Sequence, residues 1–231
     1  MLDGDFVRSP SMTQQHGLVG AVKSAFPALG PRGGRAQKTN ISSWNIRSGS
    51  SRERLEQIVL ELGRNTVEFC AVQELRLPNQ GQQQFNLLDH QLQQTYSYTL
   101  LFSGSQVGGF SGVGVFIQSS KLCYLKDWNA SEIFPERIMW TEFEGLTIIS
   151  FYGFTETRSS KSRDPDPQSH LEKKVHLYEE LDRIYSSLSH RQPVILCGDF
   201  NARIGFSDNS SSTTGAFGDP HERRQNVCYM R

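Results

Sequence analysis

"RIMWTEFEGLTIISFY", residues 137–152, reads as two apolar-rich strands joined across Glu144-Gly145, a pair suited to a tight antiparallel hairpin. What flanks this hairpin decides the fold. Downstream, Ser169-x-x-Glu172 has the form of a capping box and predicts a helix. Along that helix Leu171, Val175, Tyr178, Leu181, Ile184, Tyr185 and Leu188 recur at helical spacing, and Pro193 then opens the apolar strand "VILC", 194–197. Upstream, "NISSWN" (40–45) reads as a strand, Ser50-x-x-Glu53 as a second capping box, and Leu55, Ile58, Val59 and Leu62 as one helical face with Gly63 at its stop. "VEFCAV" (67–72) is a mostly apolar run suited to a strand covered on both faces, and "GVGVFI" (112–117) is a further strand. Passages of strand, helix, strand therefore alternate with antiparallel hairpins. That mixture points to an α/β sandwich and away from a doubly wound sheet.

The signals are confined to residues 39–204, which form the predicted domain. Residues 1–38 are rich in Gly, Pro, Ser and Arg and show no sustained period, so they read as a flexible leader that cannot offset the entropy of ordering. The apolar patch "GLVGAVKSAF" (17–26) within them reads as an incidental segment in preference to a docking helix. Residues 205–231, with "DNSSSTTG", read as a polar, poorly ordered tail. Lys plus Arg equals Asp plus Glu at 24 each, so no overall basic field recommends nucleic acid or a membrane surface. Any partner has to be argued from a site. The four cysteines are widely spaced with no Cys-x-x-Cys pair, which favours reduced thiols over a disulfide frame or a zinc site. No apolar stretch has the length of a membrane helix, and the N-terminus lacks a secretory pattern. The reading is a soluble intracellular protein without a membrane partner; the nucleus is one candidate compartment, and oligomeric state stays open.

Polar residues stand at three predicted strand ends. Asn45 closes "NISSWN", Glu74 follows "VEFCAV", and Asp199 and Asn201 follow "VILC". In α/β proteins ligands gather outside the carboxyl ends of strands, so these groups line one cleft if the strands are neighbours. An extended chain through 199–201 would aim Asp199 and Asn201 to one side and Phe200 into the core. The donors are hard oxygens, with no thiolate or clustered histidine beside them. Mg²⁺ held by one or two carboxylates, waters and a substrate phosphate is the natural guest. A metal there polarises a phosphoryl oxygen, a second carboxylate orients and deprotonates water, and a neutral amide donates to the charged phosphorus centre. That division of labour predicts phosphomonoester or phosphodiester hydrolysis. Each residue alone has a plainer reading: Asp199, Asn201 and Asn45 as turn formers, Glu74 as a solvated strand end, Tyr152 as a half-buried strand aromatic.

The segments "SSWNIR" (42–47), "FCAVQEL" (69–75), "SGVGVFI" (111–117), "RIMWTEFEGLTIISFYGFT" (137–155) and "VILCGDFNARIG" (194–205) occur in the order and approximate spacing of the endonuclease/exonuclease/phosphatase superfamily. More narrowly, the chain resembles the endonuclease domain of non-LTR (LINE-type) retrotransposons and the craniofacial development protein 2-like proteins, with a weaker continuation in "TGAFGDPHERRQN" (214–226). The resemblance implies a four-layer α/β sandwich, two facing mixed sheets flanked by helices, incomplete at the C-terminus. It also implies cleavage of nucleic-acid phosphodiesters, DNA foremost, with Mg²⁺ as cofactor and Mn²⁺ as the alternative. By the same resemblance Glu74 is the metal ligand, Asn45 its neighbour at metal and catalytic Asp, Asp199 the residue that activates water, Asn201 the amide at the pentacovalent centre, and Tyr152 the phenol on the phosphate.

Two departures qualify that expectation. Relatives usually read Tyr-Ala-Pro-Thr where this chain has Tyr152-Gly153-Phe154-Thr155, so the turn presenting Tyr152 lacks the restraint of proline. A later Asp and a terminal Ser-Asp-His element of the family also find no match: "SDN" (207–209) lacks the histidine and "LDH" (88–90) lies in the wrong order. His170, His176, His190 and His221 read as surface or helix-face residues. The expectation is an endonuclease of retrotransposon type whose activity is weakened or lost, with an inactive form of that fold and a small-molecule phosphatase as alternatives.

Overall fold

The computed structural model describes residues 21–25, 38–105, 109–155, 167–188 and 192–201. In chain order the elements are β1 (Ala21–Ala25), β2 (Lys38–Asn45), α1 (Arg52–Arg64), β3 (Phe69–Gln73), β4 (Gln80–Asp89), β5 (Gln94–Ser103), β6 (Val113–Gln118), β7 (Leu125–Ala130), β8 (Ile138–Phe143), β9 (Leu146–Tyr152), α2 (Pro167–Ser187) and β10 (Val194–Asp199). They form two mixed sheets, one ordered β1-β2-β3-β6-β5-β4 and the other β10-β9-β8-β7. The hairpin at 137–152 is the centre of the smaller sheet: β8 and β9 pair antiparallel from Ile138↔Phe151 to Phe143↔Leu146, and Gly145 takes the turn at φ 86°. A left-handed φ there suits glycine.

The period of two along each strand sorts side chains into layers. Phe69 and Ala71 of β3 join Ile41, Val113, Val115 and Ile117 in meeting Met139, Phe143, Leu146 and Ile148 of the facing sheet. The Phe69 and Phe143 rings meet edge-on at 4.8 Å between centroids. Cys70 and Val72, of opposite parity, pack with Leu55, Ile58, Val59 and Leu62 of α1. On the far side Ile149 and Phe151 of β9 pack with Leu177, Leu181, Ile184 and Leu188 of α2. Helix, sheet, sheet and helix thus build the expected four-layer α/β sandwich.

Several local details differ from the sequence reading. The α1 cap is Ser51, whose hydroxyl accepts from Arg54 N at 3.2 Å, one residue after the Ser50 of the expected box. Gly63 is no stop: it lies inside α1 where a Cβ would stand 2.2 Å from the Tyr96 ring, and Asn65 caps the helix. Helix α2 begins at Pro167, a residue preorganised for a first turn, so Ser169-x-x-Glu172 lies within the helix. Its core stripe runs through Leu177, while Leu171, Val175 and Tyr185 are exposed. Strands β4, β5 and β7 are additional to the reading.

Residues 21–25, inside the segment read as a leader, pair antiparallel with β2 from Ala21↔Ser42 to Ala25↔Lys38. The remainder of 1–37 and all of 202–231, including the tail at 205–231, lie outside the described residues. Cys70, Cys123 and Cys197 are free thiols. Among the described residues no helix is long and apolar enough to cross a membrane.

Candidate active site

Both sheets contain one parallel pair, and these two pairs bring the predicted residues together. Strands β2 and β3 run parallel with Asn45 opposite Gln73, so Asn45 and the following Glu74 emerge from the same end. Strands β9 and β10 run parallel with Tyr152 opposite Asp199. β10 packs across β2 and β3, which sets the two strand-end pairs face to face. A buried polar bridge locks the sheets beneath them: Gln73 Nε2 donates to Ser150 Oγ at 3.3 Å, and Ser150 Oγ donates to the Val72 carbonyl at 3.1 Å. Such groups stay buried only when hydrogen-bonded.

The Asn45 side chain is the junction. Its Nδ2 donates to Glu74 Oε1 at 2.8 Å and to Asp199 Oδ2 at 2.8 Å. Its own Oδ1 accepts from the Arg47 amide at 3.1 Å, which fixes the side chain's orientation. Glu74 sits at φ 56°, a left-handed conformation uncommon for a residue with a side chain. The turn it creates swings the carboxylate back toward Asn45. Its other oxygen accepts from Arg76 Nη2 at 3.2 Å.

Asp199 uses its second oxygen locally: Oδ1 accepts from the Asn201 amide at 3.0 Å, an Asx-type turn. The expected extension through 201 is therefore absent, because Asn201 adopts φ 47°. Phe200 still packs inward, 5.0 Å from the Phe151 ring. The Asn201 side-chain Nδ2 donates to Gly153 O at 2.9 Å, and Gly153 N donates to Asp199 O at 2.8 Å. Gly153 thus ties the ends of β9 and β10. A Cβ at this position would stand 2.3 Å from Phe200 O, so glycine permits a close crossing of the two chains.

Tyr152 is mostly buried beside this cluster. Burial first, then the Glu74 carboxylate, pushes its phenol up to about 12, so it carries its proton at neutral pH. Arg137, to which the sequence reading gave no role, stands behind it. Its guanidinium lies 3.9 Å from the Phe154 ring centroid and 5.2 Å from that of Tyr152, and Nη1 donates to the Tyr152 and Gly153 carbonyls at 3.3 Å each. The side chain is 16% exposed, and its ion pair with Glu136 is long at 3.8 Å. Burial pulls its pKa down from the ordinary arginine value. No sequence signal marks this residue, because its place depends on β8 pairing with β9.

His170 is hydrogen-bonded to Thr155 O at 3.1 Å, and His176 packs on Phe134. His190 and His221 lie outside the described residues.

Two carboxylates converging on one neutral amide leave negative charge concentrated between the sheets. Oxygen donors of this kind suit a hard divalent cation that takes one or two carboxylates and completes its shell with water and phosphate. Among the described residues no group of three or more His, Cys, Asp and Glu converges.

Facing mixed sheets, each backed by a helix, with paired carboxylates and amides at one pole, define a four-layer α/β sandwich protein. Residues 42–226 match the Endonuclease/Exonuclease/phosphatase family, and the chain belongs to that family. Among solved structures it is similar to a 3'-5' exonuclease (NExo) from Neisseria meningitidis, at 19% identity and TM-score 0.50 over 71% of this chain and 59% of that one. It is also similar to an AP endonuclease from Archaeoglobus fulgidus, at 23% identity and TM-score 0.48 over 71% of this chain and 57% of that one. The chain spans a little under three fifths of the length of both. No curated protein matches the sequence significantly.

Proposed function

We propose that this chain hydrolyses phosphodiesters of nucleic acid, DNA foremost, as an endonuclease of retrotransposon type that works with Mg²⁺ or Mn²⁺. The observation that carries the reading is the Asn45 amide held 2.8 Å from a carboxylate of each sheet. The nucleic-acid substrate comes from the sequence resemblance, since the chain's net charge is zero and no overall basic field speaks for it.

In this reading Glu74 would hold the cation with Asn45 beside it, and Asn45 sets Asp199 at the ion's hydration shell. The bound ion supplies Lewis-acid polarisation of a phosphoryl oxygen and charge stabilisation of the leaving one. Asp199 orients an attacking water and accepts its proton at Oδ2, the oxygen that faces Asn45. Tyr152 keeps its proton at neutral pH and offers it as a hydrogen bond to a phosphate oxygen. Asn201, whose Nδ2 donates to Gly153 O, would offer its other amide hydrogen to the phosphate. Arg137 braces the Tyr152-Gly153 turn from behind through both carbonyls.

Supercoiled plasmid incubated with the purified chain and Mg²⁺ tests this directly. Nicking that is abolished by Glu74→Gln and by Asp199→Ala is the expected result. A folded chain that leaves the plasmid intact is an inactive form of the fold, and hydrolysis of inositol phosphates without attack on DNA selects a small-molecule phosphatase.

A further inference from the structure

Beside the strand-end cluster the loop between β5 and β6 carries Phe110, 79% exposed. A single exposed apolar side chain is ordinary by itself. This ring, however, has a cation on one face: the Arg76 guanidinium lies 4.9 Å from its centroid. The same guanidinium reaches Glu74 Oε2 at 3.2 Å. Ring, cation and carboxylate form a continuous file from solvent to the proposed catalytic centre. Arg76 Nε is buried with no hydrogen-bond partner, so the arginine is placed by these contacts and by its backbone.

The loop is anchored where it meets the site. Leu75 N donates to Gly112 O at 3.0 Å, Arg76 N to Ser111 O at 2.9 Å, and Gly112 N to Glu136 O at 3.0 Å. Gly112 takes φ 120°, and a Cβ there would stand 2.9 Å from Arg76 N. These bonds hold the loop against the segment that carries Glu74 and against the residue preceding Arg137. Phe110 belongs to none of the three core clusters, so packing does not explain its presence.

An aromatic face backed by a guanidinium is a stacking surface for a planar π system, and the cation adds attraction for the phosphate attached to it. We propose that Phe110, backed by Arg76, stacks an unpaired nucleobase of the strand whose phosphodiester lies at Glu74 and Asp199. This rests on the nuclease reading above and gives that site a preference for locally unpaired nucleic acid, such as a single strand, a bulge or the unwound stretches of a supercoiled plasmid, because a paired base keeps both faces inside the helix. A small phosphorylated molecule without a base has no use for the ring.

The test is binding of the full chain, in EDTA so that no cleavage intervenes, to a DNA single strand of about 12 nucleotides with a central 2-aminopurine, a length within the range such sites cover. The same strand in a duplex is the comparison. Phe110→Ala is expected to weaken single-strand binding about 5- to 150-fold, the cost of one lost stacking partner, and to abolish 2-aminopurine quenching while leaving duplex binding unchanged. Phe110→Trp should retain both signals, and Leu92→Ala, at an exposed apolar residue on the β4–β5 turn, should behave as wild type. Wild-type affinity in Phe110→Ala, or an equal loss for both substrates, overturns the proposal. A wild-type chain that quenches 2-aminopurine yet never nicks DNA refutes the nuclease reading and leaves the stacking site standing. Failure to bind either oligonucleotide refutes both.

Discussion

Asn45 Nδ2 lies at the same 2.8 Å distance from Glu74 Oε1 and from Asp199 Oδ2, so a single side-chain amide joins the strand ends of two different sheets. Both hydrogens of the amide are committed. Asn45→Ala removes the shared donor and Asn45→Asp places a third carboxylate between two others. Either change is expected to lower nicking on the order of 10²- to 10³-fold, the usual cost of one positioned donor. Asn45→Asp should be the less stable of the two in urea, because like charges then converge. A plasmid-nicking time course and an unfolding curve for each variant check this.

Arg137 should matter to stability as well as rate. Arg137→Met removes that donor from the Tyr152 carbonyl, while Gly153 O keeps the Asn201 side-chain amide, and a buried acceptor left unsatisfied costs about 1–3 kcal/mol. Arg137→Lys is expected not to restore the loss, since an ammonium lacks the planar fork that stacks on Phe154 while reaching two carbonyls. Urea unfolding of the three proteins at pH 7 measures the difference. Equal midpoints would show that the clamp contributes nothing.

How much of this was legible in the sequence depends on the element. The β8–β9 hairpin and β3 were readable because apolar runs there are dense and bounded by turn residues. Strand β4 was not, since its burial alternates along the whole strand at a sheet edge while glycine and glutamine fill the first five positions of "QGQQQFNLLD", so hydrophobicity does not alternate with it. The face of α2 was read in part: Leu181, Ile184 and Leu188 lie in the core as expected, but Leu171, Val175 and Tyr185 share a helical stripe that the sheet does not cover, whereas Leu177 turns onto Ile149 and Phe151. At the candidate site, the convergence of Asn45, Glu74 and Asp199 was legible because polar residues stand at the ends of apolar strands. Arg137 precedes its strand and acquires its surroundings only through the register Ile138↔Phe151, a long-range fact that local pattern does not contain.

The acid limb of stability should carry the signature of Asp89. Arg64, with Nε 2.6 Å from Asp89 Oδ2, holds that carboxyl down at about 2, helped by the Gln91 and Leu92 amides. An unfolded Asp titrates near about 3.9. Because the folded value is depressed, the stabilisation is complete above the unfolded value and disappears as pH falls through about 2. The gap in urea midpoint between wild type and Asp89→Asn is therefore expected to be widest at pH 5 and to close by pH 2. A constant gap across that range would contradict the assignment.

Thiol chemistry should separate the cysteines. Burial pushes Cys70 up to about 12 and Cys197 up to about 11, while Cys123 is exposed. The thiolate is the reactive form. Iodoacetamide at pH 8 is expected to label Cys123 in the folded protein, with Cys70 and Cys197 modified only after unfolding, as read by peptide mass spectrometry.

The central claim is that Glu74, with Asn45 beside it and Asp199 at the ion's hydration shell, holds one divalent cation between the sheets. Mn²⁺ titration followed by electron paramagnetic resonance reads that occupancy without requiring turnover. One bound ion per wild-type chain is expected, with binding lost in Glu74→Gln, weakened in Asp199→Ala, and retained in Asp89→Asn. Undiminished Mn²⁺ binding in both Glu74→Gln and Asp199→Ala would contradict it.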